Sequence, residues 1–210
     1  RQYPRIDQWD EFTLSGFRIS RGWAREQHVY FQIQFSKPIH YFLSASPSSP
    51  YAHATFEVLP GEAVMAKVSL SPTSEMAARN NRMAEMPTWD FKAIRQQAED
   101  AWEKELGRIR ATFRTERERR IFYTAMYHLM VAPSVWNDVC GDYRGSDGRV
   151  HHDAPHQNYT TWSLWDTYRS AHPLATLILH DRMADYAETM MRIWEEQGEL
   201  PVWHLMSNET

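Results

Sequence analysis

The final quarter of the chain combines acidic, basic and aromatic side chains in a pattern suited to a sugar. Trp165-Asp166 precedes Arg169 by three residues, and Trp203 lies six residues before Glu209. An aromatic face can pack against the apolar C–H face of a sugar, while charged groups form hydrogen bonds with its hydroxyls. Asp166 and Glu209 are therefore candidates for binding sugar hydroxyls beside aromatic platforms.

Each of these residues also has a structural interpretation. Asp166 lies near a predicted helix start, where a carboxylate complements the helix dipole. Arg169 shares a helix face with Asp166, so we expect it to hold the Asp166 rotamer through an ion pair rather than to bind ligand. Glu209 fits an exposed loop residue equally well. The many aromatic residues fit either a packed core or sugar-stacking surfaces.

The histidines of the loop between residues 133 and 160 provide a weaker candidate site. His151-His152-Asp153 and His156 carry metal-binding groups, but their spacing is typical of a loop and does not match a zinc motif. Asp138, Asp142 and Asp147 do not match an EF-hand loop. From these patterns we assign no metal ligand in this chain.

Composition excludes several classes of function. A net charge of −4 and a pI near 6.2 argue against a nucleic-acid partner, which favours a basic surface. The sequence contains no apolar run of about 18 residues, so we predict no membrane span. Cys140 is the only cysteine, which excludes an internal disulfide and a cysteine-based zinc site.

The elements that must position these residues change in character along the chain. Before Met86 we predict strands at residues 12–19, 29–35 and 63–70, separated by polar connections. In the second strand Val29, Phe31, Ile33 and Phe35 face one side and Gln32 and Gln34 the other, as in a half-buried strand. Several short strands favour a β-sandwich or part of one.

After Pro87 the apolar residues recur every three or four positions, which predicts helices. The first spans about 18 residues from Phe91, with Thr88 or Asp90 as its cap. The second begins with a capping box at Thr115, buries its apolar face and ends at Pro133. The residues expected on that buried face are Ile121, Phe122, Ala125, Leu129 and Met130.

Two more helical segments follow the loop between residues 133 and 160. One covers residues 163–179, with a break or kink expected at Pro173. The other runs from Asp181, its expected N-cap, to Gln197, and Gly198 ends it. Strands followed by helices indicate two domains of different class.

Ordered sequence blocks across nearly the whole chain resemble glycoside hydrolase family 92, the calcium-dependent exo-α-mannosidases. The first group of blocks is Ser20-Arg21-Gly22-Trp23-Ala24, Tyr30-Phe31, Phe35-Ser36-Lys37-Pro38, Ser71-Pro72-Thr73-Ser74 and Trp89-Asp90-Phe91. The second is Phe122-Tyr123-Thr124-Ala125-Met126-Tyr127-His128, Ala132-Pro133, Tyr143-Arg144-Gly145, Ser163-Leu164-Trp165-Asp166-Thr167-Tyr168-Arg169, His172-Pro173-Leu174, Leu200-Pro201-Val202-Trp203 and Asn208-Glu209-Thr210. Each block is weak by itself, and the ordered set is strong.

The resemblance implies the end of an N-terminal β-sandwich followed by the first helices of an (α/α)6 barrel. Residues 1–86 would belong to the sandwich, 87–112 to a helical linker and 113–210 to the catalytic barrel. The region from Ile39 to Pro60 is shorter than in the family. A loop that shapes the pocket would therefore be reduced, and the resemblance leaves the linkage preference open. The chain would be an internal piece of a larger enzyme, completed by the remainder of its own catalytic domain.

The resemblance also implies an inverting α-mannosidase that removes terminal mannose from glycans such as N-glycans. Calcium would contact the mannose hydroxyls through ligands mostly outside this chain, and the catalytic acid and base would lie beyond Thr210. The isolated chain is therefore expected to be inactive. Relatives of this type are secreted, periplasmic or on the cell surface. The substrate-binding residues implied are Asp166, Trp165, Trp203, Asn208 and Glu209.

Two alternatives remain open on the sequence. One is a carbohydrate-binding module without catalytic activity, and the other is a different (α/α)6 glycosidase, such as a trehalase-like hydrolase. A downstream glutamate and a paired aspartate motif would favour the hydrolase.

Overall fold

The computed structural model describes residues 4–44 and 51–209 and begins with a four-stranded antiparallel sheet. The sheet has the order β1-β2-β3-β6, with every neighbouring pair antiparallel. A separate hairpin pairs β4 with β5. These strands are β1 (Arg5–Asp10), β2 (Thr13–Ser20), β3 (Gln27–Phe35), β4 (Tyr41–Ser44), β5 (Ala52–Thr55) and β6 (Ala66–Ser71). The three strands predicted from sequence are confirmed as β2, β3 and β6.

The buried face of this sheet is the polar one, because helix α1 (Glu75–Glu85) covers it. Gln32 in β3 is fully buried, and its side-chain oxygen accepts hydrogen bonds of 3.1 and 2.9 Å from Arg82 of α1. On the opposite face Val68 is 53% exposed and Leu70 60% exposed. The alternation in β3 was predicted correctly, but the expectation that its apolar side is the buried one is wrong for the described residues.

Helix α1 itself was not predicted. Ser74 caps it by accepting a hydrogen bond of 3.0 Å from the Ala77 amide. The helix was missed because its buried face combines two alanines with Asn81 and Arg82, so that it lacks the apolar stripe used to recognise helices. In its place, Asn81 and Arg82 bury polar groups against β6 and β3.

The two helices predicted after Pro87 are confirmed as α2 (Phe91–Leu106) and α3 (Glu116–Val131). Asp90 caps α2, and Thr115 and Glu118 form the expected capping box of α3. The buried face of α3 was partly wrong, because Ile121 is 59% exposed and Ala125 is also exposed. Met126, which is 4% exposed, is the buried residue of this helix.

The third predicted helical segment is split into α4 (Leu164–Thr167) and α5 (Ala171–Ile178). The break precedes Pro173, which lies in the first turn of α5, where a missing amide costs little. A 3₁₀ turn at His180–Arg182 leads into α6 (Met183–Gln197), which Gly198 ends with a φ of 86°. The expected N-cap, Asp181, lies in that turn and instead binds Arg108, with an oxygen–nitrogen distance of 2.8 Å.

Six two-residue strands form three short antiparallel ladders among the helices. They are β7 (Ser134–Val135), β8 (Tyr143–Arg144), β9 (Val150–His151), β10 (Tyr159–Thr160), β11 (His204–Leu205) and β12 (Asn208–Glu209). β7 pairs with β10, β8 with β9, and β11 with β12. An aromatic core forms where the buried face of α6 meets β10 and the residues that follow it, and comprises Tyr159, Trp162, Tyr186 and Ile193.

The described part of the chain is therefore a β-rich region followed by helices, as predicted. No helix in the described ranges has the length and apolar character needed to cross a bilayer.

Candidate functional site

Three tryptophans from distant parts of the sequence meet at one surface. The Trp203 ring lies 4.6 Å from the Trp23 ring and 6.4 Å from the Trp165 ring, measured between centroids. Trp23 is 69% exposed and Trp165 is 58% exposed, so both retain open aromatic surface. The structure brings together Trp165 and Trp203, both of which were predicted as site residues. No role was predicted for Trp23, although this residue lies in a block that carried the family resemblance.

Backbone pairing brings the elements of this site together. The amides of Trp162 and Leu164 donate to the carbonyls of His204 and Val202, at 2.9 Å in both cases. These bonds fix the start of α4, and hence Trp165, beside the segment that carries Trp203. The positions of both tryptophans therefore depend on the chain path and not only on their own side-chain contacts.

Asn208 ties this C-terminal segment to the N-terminal sheet region. Its amide nitrogen donates to the Glu26 carbonyl at 2.9 Å, and its oxygen accepts from the Glu26 amide at 3.4 Å. Glu26 follows Trp23 in the connection between β2 and β3. Asn208 thus holds the Trp23 loop near Trp203.

Glu209 holds the backbone of the segment that carries Trp203. One carboxylate oxygen accepts from the Trp203 amide at 2.6 Å, and the other from the Val202 amide at 3.1 Å. Both oxygens therefore have backbone partners. These contacts favour a role in holding Trp203 over one as a freely presented acid.

Asp166 is exposed at the first turn of α4, and one of its oxygens accepts from the Ser163 hydroxyl at 2.5 Å. The predicted Asp166–Arg169 ion pair is not formed. The Arg169 guanidinium instead donates to the Tyr168 hydroxyl at 2.7 Å. Ser163 therefore orients Asp166, whereas Arg169 lies beyond the end of the one-turn helix α4.

A buried histidine lies behind this surface. His204 is 2% exposed, and its Nε2 is 2.9 Å from the Ser146 hydroxyl oxygen. Burial lowers the pKa of His204 to about 4, even though Glu209 nearby acts in the opposite direction. His204 is consequently neutral at physiological pH and serves as a packed polar group.

Two small cavities flank the tryptophans. One of about 300 Å³ is lined by Trp23, Thr161 and Met206 among others. Another of about 190 Å³ is lined by Arg25, Glu199 and Glu209 among others. A larger cavity of about 750 Å³ lies between α2 and α3 and contains none of the predicted site residues.

The residues around the tryptophans do not by themselves fit a calcium ion. Calcium takes six to eight oxygen ligands, whereas both Glu209 oxygens bind amides and Asp166 is bound by Ser163. Within residues 4–44 and 51–209, the one cluster of three metal-type donors is Asp147, His151 and Glu196. Its histidine makes it unsuited to calcium. His152 and His156, considered beside His151 on the sequence, instead pair with Asp142 and Asp185.

Comparison with known proteins identifies the family. Residues 77–210 match the family model described as the glycosyl hydrolase family 92 catalytic domain. The chain belongs to glycosyl hydrolase family 92.

Similar proteins and solved structures agree with this assignment. A family 92 α-mannosidase from Bacteroides thetaiotaomicron, also solved in complex with mannoimidazole, is 32% identical, with a TM-score of 0.88 over 99% of this chain. An uncharacterized secreted glycosidase from Arthroderma benhamiae is 32% identical over 110 residues, half of this chain. An inverting family 92 mannosidase of the same bacterium, 24% identical with a TM-score of 0.83, shows the fold alone.

This family 92 chain is much shorter than those relatives. It spans 31% of the bacterial α-mannosidase and 13% of the fungal glycosidase.

Proposed function

We propose that this chain is part of an exo-acting α-mannosidase that removes terminal mannose from glycans with inversion of configuration. The observation that carries the proposal is the convergence of Trp23, Trp165 and Trp203 beside an exposed carboxylate, Asp166. Tryptophan faces suit the C–H faces of a sugar, and the carboxylate suits its hydroxyls. The α-mannosidase relative, similar over 99% of the chain, supports mannose as that sugar.

The site residues have different proposed roles. Trp165 and Trp203 would contact the mannose ring, and Asp166, oriented by Ser163, would accept hydrogen bonds from its hydroxyls. Asn208 and Glu209 would shape the pocket, since their hydrogen bonds hold the Trp23 loop and the Trp203 turn. Arg169 would not contact the sugar, and would act indirectly through its hydrogen bond to the Tyr168 hydroxyl.

The architecture is part of the proposal. The exposed apolar face of the four-stranded sheet, with Val68 and Leu70, fits the inner surface of a sandwich that a second sheet would cover. Residues 1–86 would form the end of that sandwich, 87–112 the linker and 113–210 the start of an (α/α)6 barrel. The family model begins at residue 77, within α1.

The catalytic acid and base, and most ligands of an assisting calcium ion, would lie outside residues 1–210. An inverting glycosidase separates its two carboxyl groups by about 6.5–9.5 Å to admit water between them. The secreted relative supports an extracytoplasmic location.

The test is hydrolysis of an aryl α-mannoside by the full-length protein, with the first-formed anomer identified by proton NMR. Inversion predicts β-mannose as the initial product. Initial release of α-mannose would contradict the inverting mechanism, and absence of hydrolysis with tight mannose binding would favour a binding module. Residues 1–210 alone are expected to release no mannose, and turnover by this segment would contradict an external acid and base.

Asp166→Asn examines the site directly. A charged hydrogen bond contributes about 1.5–3 kcal/mol, so kcat/KM should fall by roughly ten- to a hundred-fold. The Tm should change little, since asparagine keeps the shape. Asp100→Asn on the exposed face of α2 is the matched control and should change neither quantity. Lost stability with unchanged kinetics would assign Asp166 a structural role.

A further inference from the structure

A cluster of metal-type donors, formed between the β8–β9 hairpin and α6, has no place in the proposed sugar site. It comprises Asp147 and His151 of the β8–β9 hairpin and Glu196 of α6. One donor atom from each residue lies within 4.8 Å of the other two. We propose that these three residues bind a divalent transition-metal ion, with zinc as the best fit.

The spacing of the donors approaches that of a formed zinc site. His151 Nε2 is 3.1 Å from Asp147 Oδ1 and 3.6 Å from Glu196 Oε1. Bonds of about 2.0–2.2 Å in a tetrahedral site separate neighbouring ligand atoms by about 3.3–3.6 Å. The ion therefore requires shifts of only a few tenths of an ångström along these two edges.

Neighbouring groups hold the ligands in this arrangement. The Tyr143 hydroxyl donates to Glu196 Oε1 at 2.7 Å, and the Ser146 amide donates to Oε2 at 2.6 Å. The His151 ring stacks on Tyr143 with centroids 5.0 Å apart. Such outer contacts orient metal ligands and fix their rotamers in advance.

Gly145 explains how the ligands approach so closely. A Cβ at this position would lie 2.6 Å from His151 Nε2 and 2.7 Å from Glu196 Oε2. Any side chain there would displace at least one ligand. The glycine is therefore required by space, and it lets the hairpin pack directly on α6.

The donor chemistry and exposure select the class of ion. One imidazole and two carboxylates suit zinc and related transition metals, whereas calcium and magnesium favour oxygen ligands alone. The Glu196 side chain is 8% exposed, while those of Asp147 and His151 are 21% and 35% exposed. The partly open side leaves a position for water, as zinc with three protein ligands requires.

The ion would also stiffen the candidate sugar site. Ser146 connects the cluster to the Trp203 segment, because its amide donates to Glu196 and its hydroxyl oxygen lies 2.9 Å from Nε2 of His204, the residue after Trp203. Metal binding would thus link the hairpin, α6 and the Trp203 segment. This predicts a higher Tm with zinc, independent of whether mannosides are hydrolysed.

The test is a titration of the tag-free, EDTA-treated full-length protein with Co²⁺ and then Zn²⁺, in buffer containing Ca²⁺ to saturate any calcium site. Visible d–d absorption reports Co²⁺ in a nitrogen–oxygen site, and elemental analysis after dialysis gives the zinc content. We expect one equivalent, displaced by zinc. The affinity should fall at least ten-fold in His151→Gln and Glu196→Gln.

His152→Gln is the matched control, because the adjacent His152 is exposed and pairs with Asp142 instead. It should retain wild-type affinity. Asp147→Asn provides a second ligand variant at an accessible position, so that a folding defect in Glu196→Gln does not decide the outcome. No bound cobalt or zinc, or equal affinity in wild type and His151→Gln, would overturn the proposal and leave a hydrogen-bonded histidine–carboxylate cluster.

Discussion

The interface between the N-terminal sheet and α1 and the core beneath α6 are both buried, yet their chemistry is opposite. The first buries Gln32, Arg82 and Asp138, which are joined to their neighbours by hydrogen bonds. The second buries Trp162 and Tyr186, whose rings meet edge to face at 5.3 Å. Burial alone therefore does not identify which side chains hold a region together.

The polar interface depends on hydrogen-bond pairing, although the side-chain nitrogen of Gln32 is buried without a partner among the described residues. Asp138 is 2% exposed and accepts from Ser71 at 2.9 Å, Thr73 at 2.5 Å and Asn81 at 2.7 Å. A buried carboxylate without such donors would be strongly unfavourable.

The aromatic core depends less on such pairing, since its stabilisation scales mainly with the apolar area removed from water. Its buried Trp162 indole N–H donates to the Tyr159 carbonyl at 3.2 Å. The two regions should therefore respond differently to substitution.

The largest effect is expected in the aromatic core. Trp162 is 1% exposed, and Trp162→Ala leaves a large cavity that should lower the free energy of unfolding by about 3–5 kcal/mol. Trp162→Phe keeps an aromatic ring and should cost less. Chemical denaturation of the intact protein measures both. A loss below about 1 kcal/mol for the alanine variant would mean that this core is not the main source of stability in its region.

Asp138→Ala should be the next most damaging change. It leaves the donors of Ser71, Thr73 and Asn81 without their acceptor, at an expected total cost of about 2–4 kcal/mol. Asp100→Ala on exposed α2 is the control and should stay within about 0.5 kcal/mol. Equal Tm values for the two variants would show that the polar interface contributes little.

The buried His204 predicts a pH dependence for the helical half. Burial lowers its pKa to about 4 from 6.5, so between these values the unfolded chain takes up a proton and the folded chain does not. The stability that neutral His204 contributes is fully present above about pH 6.5. It is lost as the pH falls, and the loss reaches about 2 kcal/mol at pH 5. Urea titrations at several pH values should give a shallower slope for His204→Gln than for wild type. His40→Gln, at an exposed position, is the control and should keep the wild-type slope. If His204→Gln also keeps the wild-type slope, His204 is not the source of the pH dependence.

Helix capping gives the smallest expected effect and compares equivalent positions in the two regions. Ser74→Ala removes the side-chain cap of α1 and should cost about 1 kcal/mol. Ser170→Ala at the start of α5 removes no cap hydrogen bond and should change stability by less than about 0.5 kcal/mol. Thermal denaturation of both variants measures the difference. A larger loss of stability from Ser170→Ala than from Ser74→Ala would contradict the assignment of Ser74 as the side-chain cap.

Particular residues show why some features were predictable. The capping box at Thr115 and the stop at Gly198 were correct because both depend on local backbone geometry. The prediction of Asp181 as an N-cap was wrong, because its carboxylate pairs with Arg108, which is distant in sequence. Trp23 was missed as a site residue because no local sequence pattern predicts that its loop folds back onto Trp203.

The sequence by itself determined strands β2, β3 and β6, the caps of α2 and α3, the end of α6 and the order of the two classes, because these follow from short-range periodicity and capping. It also carried the family resemblance, which the family match confirms. Only the tertiary structure decided which face of β3 is buried, that Ser163 rather than Arg169 orients Asp166, and that His151 meets Glu196. The first and third outcomes depend on contacts between segments far apart in the chain, which local sequence patterns do not predict. The second is a local contact that depends on α4 ending at Thr167.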